Sequence, residues 1–198
     1  LLMSLLSGAQ TLPTSPEAQS GSPSQAGTPP AQDEGAQVRS ARLGPVQAEG
    51  RDLSGVTYDA SSGRLTASGP EGVLFKGTGQ EVSTLLVSGS GAVTVQDIDA
   101  QALIVHGGEA RLLLTGDNAI ALLQLEEEAS LTLEGEGRLV LDTFRAASSA
   151  SLRLTGGAVQ VKGEKGEALG ALNVPVVIDG PAVLAAGVVR VMVIGRFQ

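Results

Sequence analysis

The stretch LTLEGEGRLVL, residues 131–141, decides the fold. Leu131, Leu133, Leu139 and Leu141 alternate with other residues on either side of Gly135 and Gly137. Alternation is the two-residue period of a strand with one buried face. A glycine between two such pieces marks a place where the backbone turns. The stretch therefore reads as strand, corner, strand. Whether that unit recurs determines the architecture.

It does recur. Apolar–any–apolar–any–Gly appears as LLVSG at 85–89, LIVHG at 103–107, LLLTG at 112–116, LTLEG at 131–135, LRLTG at 152–156 and VVIDG at 176–180. A second alternating piece follows in AVTV at 92–95, RLVL at 138–141, AVQV at 158–161 and AVLA at 182–185. With Gly89, Gly107, Gly135, Gly156 and Gly180 as markers, the intervals are 18, 28, 21 and 24 residues. Gly116 falls inside the long interval, 19 residues before Gly135. A period near twenty, with short strands and glycine corners, predicts a coil wound into a β-solenoid. Inward Leu, Val and Ile would stack lap over lap at about 4.8 Å, each lap holding two or three strands. Glycine suits the corners because it takes positive φ without steric cost.

Two other folds compete. AIALLQLEEEASL at 119–131 is rich in helix formers. Its spacing nevertheless runs on as strand alternation into LTL, and glycines follow at once. An antiparallel sandwich also shows short strands with regular turns. Sandwich cores usually use large aromatic anchors, and this chain has few aromatics: Tyr58, Phe75, Phe144 and Phe197.

The 198 residues suit one domain plus a tail. Residues 1–9 are apolar and then small, and Ser7 and Ala9 match the small-residue pattern of a signal-peptidase site. They read as the end of a signal peptide whose basic start precedes Leu1. Residues 10–50 are dominated by Pro, Ser, Gln, Gly and Ala without apolar periodicity. Such a segment buries too little to offset its ordering entropy, which predicts a disordered linker. The solenoid is expected over 51–198, with its C-terminal end cut short. AVLAAGVVRVMVIGRFQ at 182–198 reads as a last coil without a polar cap, so the chain continues or this end stacks on another molecule. That stretch carries Arg190 and is too short to span a membrane.

Net charge is −8, and Lys and Arg are scattered singly, which excludes a nucleic-acid stripe. With no Cys there is no disulfide, thiol chemistry or Cys-ligated metal.

Two stretches resemble secreted and cell-surface bacterial right-handed parallel β-helix repeat proteins of the carbohydrate-binding-domain-like kind. In GVTYDASSGRLTASGPEGVLFKGTG at 55–79, Tyr58, Asp59, Gly63, Leu65 and Thr66 fit the strand pair that leads into the first coil. In SLRLTGGAVQVKGEKGEALGA at 151–171, Leu152, Leu154, Gly156, Gly157, Val159, Val161 and Gly163 fit the repeating coil, and Gly166 and Gly170 stand in a Gly-rich loop. The resemblance covers residues 55–180. It implies an all-β, single-stranded right-handed β-helix of about five coils. It also implies a bacterial, secreted or cell-surface module contacting a glycan or cell-surface polymer, with no residue role to carry over. A polymer-forming β-helix of the bactofilin kind, stacking end to end, is the second reading. A polysaccharide-active enzyme is the third.

Candidate chemistry is sparse, and the expectation is a non-enzyme with no cofactor. Asp97 and Asp99 in QDIDAQ are placed on one face of a strand by alternation, with Ile98 on the other. Such a pair suits glycoside hydrolysis or oxygen ligation of Ca²⁺. The EEE run at 126–128 fits an exposed turn. His106, the single histidine, takes an outward position in LIVHG and has no nucleophile beside it in sequence. The GTG, GSG and GEG triplets at 77–79, 89–91 and 135–137 lack the strand–turn–helix context of a phosphate loop and read as corners. Sugar recognition usually uses exposed rings, and Tyr58, Phe75 and Phe144 are expected in the core or a cap.

Overall fold

A computed structural model describes residues 37–162, 171–172, 176–186 and 188–189. The described residues are all β, without a helix, and their laps stack in parallel as a β-solenoid of about five turns. The strands are β1 (Arg39–Leu43), β2 (Val46–Gly50), β3 (Val56–Asp59), β4 (Arg64–Ser68), β5 (Glu71–Gly77), β6 (Val82–Ser88), β7 (Gly91–Gln96), β8 (Asp99–His106) and β9 (Glu109–Thr115). They continue as β10 (Asp117–Leu125), β11 (Ser130–Gly135), β12 (Arg138–Ala146), β13 (Ser151–Leu154), β14 (Ala158–Val161), β15 (Ala171–Leu172), β16 (Val176–Ile178), β17 (Val183–Ala185) and β18 (Val188–Val189).

From β4 to β14, consecutive strands fall alternately in two sheets. One runs β1-β2-β5-β7-β9-β11-β13-β16 and the other β17-β14-β12-β10-β8-β6-β4-β3. A lap is therefore one strand of each sheet plus two corners. Side-chain hydrogen bonds between neighbouring laps join residues 19 to 22 positions apart in most of the solenoid and 26 apart between Arg153 and Asp179. This geometry explains the 28-residue glycine interval. LLVSG and LIVHG lie on β6 and β8 of the second sheet, whereas LLLTG, LTLEG and LRLTG lie on β9, β11 and β13 of the first. Gly107 to Gly135 thus spans one lap and a half, whereas paired residues of neighbouring laps in the two main sheets lie 18 to 25 positions apart.

The parallel register stacks like on like. Val73, Val93, Leu112, Leu133, Leu154 and Ile178 form one ladder up the first sheet. Leu65, Leu85, Leu103, Leu123 and Phe144 form another up the second. Each fully buried aliphatic side chain contributes roughly 1.5–3 kcal/mol relative to exposure. The helical reading of 119–131 gives way here, because Ile120, Leu123 and Leu125 complete rungs of the second sheet. β8, β10 and β12 each show consecutive outward residues, Gln101–Ala102, Ala121–Leu122 and Asp142–Thr143. Ala121 has no register partner in either neighbouring strand. One extra residue at the same place in each lap bends the second sheet. The inward side chains of a lap consequently come in three pairs, as in Leu112/Leu114, Asn118/Ile120 and Leu123/Leu125.

Glycine serves the corners in two ways. Gly135 has φ +102°, which a side chain would resist. Gly156, one lap on, has no such φ. A Cβ there would lie 2.5 Å from the Gly135 carbonyl oxygen, so the close approach of laps alone demands glycine.

The N-terminal end is closed by a change of strand direction. β2 pairs antiparallel with β5, β1 antiparallel with β2, and β3 antiparallel with β4. The outermost strands carry exposed Arg39 and Arg42 on β1 and exposed Thr57 and Asp59 on β3, which blunts both edges. The Tyr58 ring lies over Gly44, whose φ is +57°. The β3–β4 strand pair read from GVTYDASSGRLT is present, with Tyr58 opposite Leu65. The linker boundary at residue 50 needs correction, since β1 and β2 lie inside the expected linker. Their inward residues Val46, Ala48 and Gly50 are small, and Gly44–Pro45 between the strands resembles linker composition. The segments expected as signal peptide and most of the linker, the Gly-rich loop at 163–170 and Arg190–Gln198 lie outside the described residues.

Among the described residues one buried side chain is polar, Asn118. It stands in the column that continues with Leu139, Val159 and Leu184. The Ile98 N–H donates to its Oδ1 at 3.0 Å, and its Nδ2 donates to the carbonyls of Thr115 at 3.0 Å and Arg138 at 3.2 Å. One amide thus ties three successive laps at a corner. Replacing it by leucine strands these backbone groups, so Asn118→Leu is expected to lower unfolding free energy by about 3 kcal/mol in urea titration. A second expectation concerns acid. Hydrogen bonds from the Ser62 and Ser61 hydroxyls and the Ser61 N–H hold the Asp59 carboxyl down to about 2, from an ordinary 3.8. Its contribution is present above the ordinary value and is lost as pH falls through the depressed one. Wild type should lose stability between pH 4 and pH 2 through this group, a component absent from Asp59→Asn in acid titration followed by circular dichroism.

Candidate functional site

Corners leading from the second sheet to the first change length partway up the solenoid. In the early laps they are short: Gly69–Pro70, Gly89–Ser90 and Gly107–Gly108. The next two are four-residue turns, Glu126–Ala129 and Ala147–Ala150, each closed by an i to i+3 bond: Ala129 N–H to Glu126 O at 3.1 Å and Ala150 N–H to Ala147 O at 3.0 Å. Both turns end in a buried alanine that anchors the turn to the core. The longer corners stand proud of the shorter ones, and the step between them is an open groove of about 530 Å³.

Leu125, Ala146 and Ala147 supply the apolar part of the groove, and His106, Gln124, Glu126, Glu127 and Arg145 supply its polar part. Register places these groups: Gln124 pairs with Ile104 on one side and Arg145 on the other. Glu126 is the hub. Its Oε2 lies 2.5 Å from His106 Nδ1, across one lap, and its Oε1 accepts from Gln124 Nε2 at 3.3 Å. The His106 ring is therefore oriented by a carboxylate, and its Nε2 is left for other contacts. Glu127 and Arg145 are exposed, with no hydrogen bond or ion pair to another side chain among the described residues. Glu128 takes φ +60°, a left-handed conformation for a side chain with no local reason to prefer it. Its N–H is held by the Ser149 hydroxyl at 3.1 Å, one lap away.

The EEE run is thus an exposed turn, as its composition indicates, and His106 is an outward surface residue. Sequence reasoning missed their meeting. Residues 106 and 126 are one lap apart, and no local motif spans that distance. A lap length of twenty, applied residue by residue, would have paired them.

Asp97 and Asp99 are placed differently from the expectation of one shared strand face. Ile98 is buried between them and both carboxylates are exposed. Asp97, however, lies in the corner between β7 and β8 with φ +52°. Its Oδ1 accepts from the Asp117 N–H at 3.1 Å, and Gly116 leaves the space that carboxylate occupies. Asp97 thereby caps the next lap's corner. Among the described residues no three of His, Cys, Asp or Glu converge closely enough to hold a metal ion. Phe75 and Phe144 are core residues and Tyr58 is half-buried in the N-terminal closure, so none offers a ring to the groove. The GTG, GSG and GEG glycines all flank corners.

No protein-family model matches the chain, and neither a curated protein nor a solved structure shows significant similarity to it. Among the described residues no helix is long and apolar enough to cross a membrane.

The groove's geometry makes a stability test informative. Glu128→Gly relieves the left-handed side chain and is expected to raise unfolding free energy by about 0.5–1 kcal/mol. His106→Ala, which removes an exposed pair, should cost less than about 1 kcal/mol in the same urea titrations.

Proposed function

We propose that this chain is a non-enzymatic β-solenoid module, exported to a bacterial cell surface or beyond it, that works by adhesion or carbohydrate contact. The observation that supports this reading is where the structure leaves room. Its interior is filled by aliphatic ladders, and its N-terminal end is closed by antiparallel strands. Contact with a partner is then made on outward faces and corners, and the groove at the lap step offers an apolar floor with hydrogen-bonding groups around it. A polysaccharide-active enzyme would have to work with the Glu126 and Glu127 carboxylates, and both oxygens of Glu126 are already engaged by His106 and Gln124.

A bactofilin-like filament built by head-to-tail stacking would need parallel strand edges at both ends. The described N-terminal edge is antiparallel and carries Arg39 and Arg42, which argues against that assembly.

The test uses the purified full chain on an array of bacterial and host glycans, with reducing-sugar release and negative-stain microscopy in parallel. Retention on at least one glycan, without sugar release and without filaments, is the expected result. Silence across the array would remove the sugar reading, release of reducing ends would restore the enzyme, and end-to-end filaments would favour the polymer.

A further inference from the structure

We infer that the groove at the lap step is a subsite for a cationic amino sugar, with Glu127 taking its ammonium group. The inference rests on the carbohydrate reading above and narrows it to one charge class.

Three observations select that class. First, among the described residues no aromatic ring reaches the groove, since Phe75 and Phe144 are buried and Tyr58 belongs to the opposite end of the described solenoid. A neutral sugar there would have a small aliphatic floor and hydrogen bonds that are each merely exchanged for one with water, which is little to hold it. A charge-assisted bond is stronger and supplies what stacking does not. Second, the polar groups divide into spent and free. The Glu126 carboxylate is occupied by His106 and Gln124. That leaves the Glu127 carboxylate and the Gln124 carbonyl as acceptors, and Arg145 as the fork that donates. A free carboxylate and an amide carbonyl beside a guanidinium suit a ligand with an ammonium and hydroxyls. Third, the chain carries a net charge of −8, and Glu126, Glu127 and Glu128 stand together at this corner. That field repels a uronic or sialic polymer and draws a polycation. Leu125, Ala146 and Ala147 then lie under the carbon face of the ring.

The groove is open and small, so affinity per sugar is weak, and repeated units along a polymer raise it by avidity. The experiment is an amide-resolved NMR titration of the full chain with three tetrasaccharides: glucosamine, N-acetylglucosamine and galacturonate. The glucosamine oligomer is expected to shift the Gln124, Glu127 and Arg145 amides. Glu127→Gln should weaken binding about tenfold, whereas Glu134→Gln, an equal loss of charge on the other sheet, should leave it unchanged. If the N-acetylated oligomer binds as tightly, the carbohydrate reading stands and the charge selection fails. Equal weakening by Glu134→Gln would expose non-specific attraction and overturn the subsite. If no oligomer of any class shifts the spectrum, the carbohydrate reading falls and the subsite with it.

Discussion

Every lap of this solenoid depends on its neighbours for backbone hydrogen bonds. From β6 to β14 each strand bonds across to the strands of the laps on either side. Thr155 N–H to Leu133 O, Ser151 N–H to Ala129 O and Ala147 N–H to Leu125 O show the same rule at the edges of the strands. A buried N–H without a partner is costly, so each strand keeps its register with the strands on either side. That register holds although paired residues of neighbouring laps lie 18 to 25 positions apart. It also puts Leu over Leu and Val over Val, so the hydrophobic ladders follow from the hydrogen-bond register.

If strand length is fixed, variation is pushed into the corners. Most are short and built on glycine, because neighbouring laps approach too closely for a Cβ, as at Gly156. Where one corner grows, the surface steps, and at Glu126–Ala129 that step brings residues of three laps into one groove. Asn118 solves the related problem on the opposite corner by supplying bonds the backbone there cannot make for itself. Fold and candidate site are therefore linked. The core sets the lap, and departures at its corners create the features available for contact.

Much of the fold could be read before any coordinates, because alternation and corner glycines are local signals. LTLEGEGRLVL does form a strand, a glycine corner and a strand, within one winding of the chain. Three features were harder to see. The two sheets carry the same five-residue unit, so intervals between glycines of different faces mix whole and half laps, as from Gly107 to Gly135. The β1–β2 closure turns Val46, Ala48 and Gly50 inward, too small and too short a run to stand out as an apolar period. The site was least legible, since the His106–Glu126 contact depends on lap register and on nothing between the two residues. Asp97 shows the converse. Its spacing to Asp99 suggested a paired site, but the backbone turns at Asp97 and its carboxylate is engaged in capping.

The direction of stacking carries the whole account, and a chain without cysteine allows it to be measured by paired cysteines. In the parallel register Ser130 faces Ser151 and Thr132 faces Arg153, with the two serine hydroxyls 2.9 Å apart. Adjacent strands at about 4.8 Å lie within reach of a disulfide. Under mild oxidation, the double variants Ser130→Cys/Ser151→Cys and Thr132→Cys/Arg153→Cys should crosslink within the monomer, and Ser130→Cys/Arg153→Cys and Thr132→Cys/Ser151→Cys should lag far behind. If the crossed pairs close faster than the matched ones, the strands run in opposite directions and the solenoid is refuted.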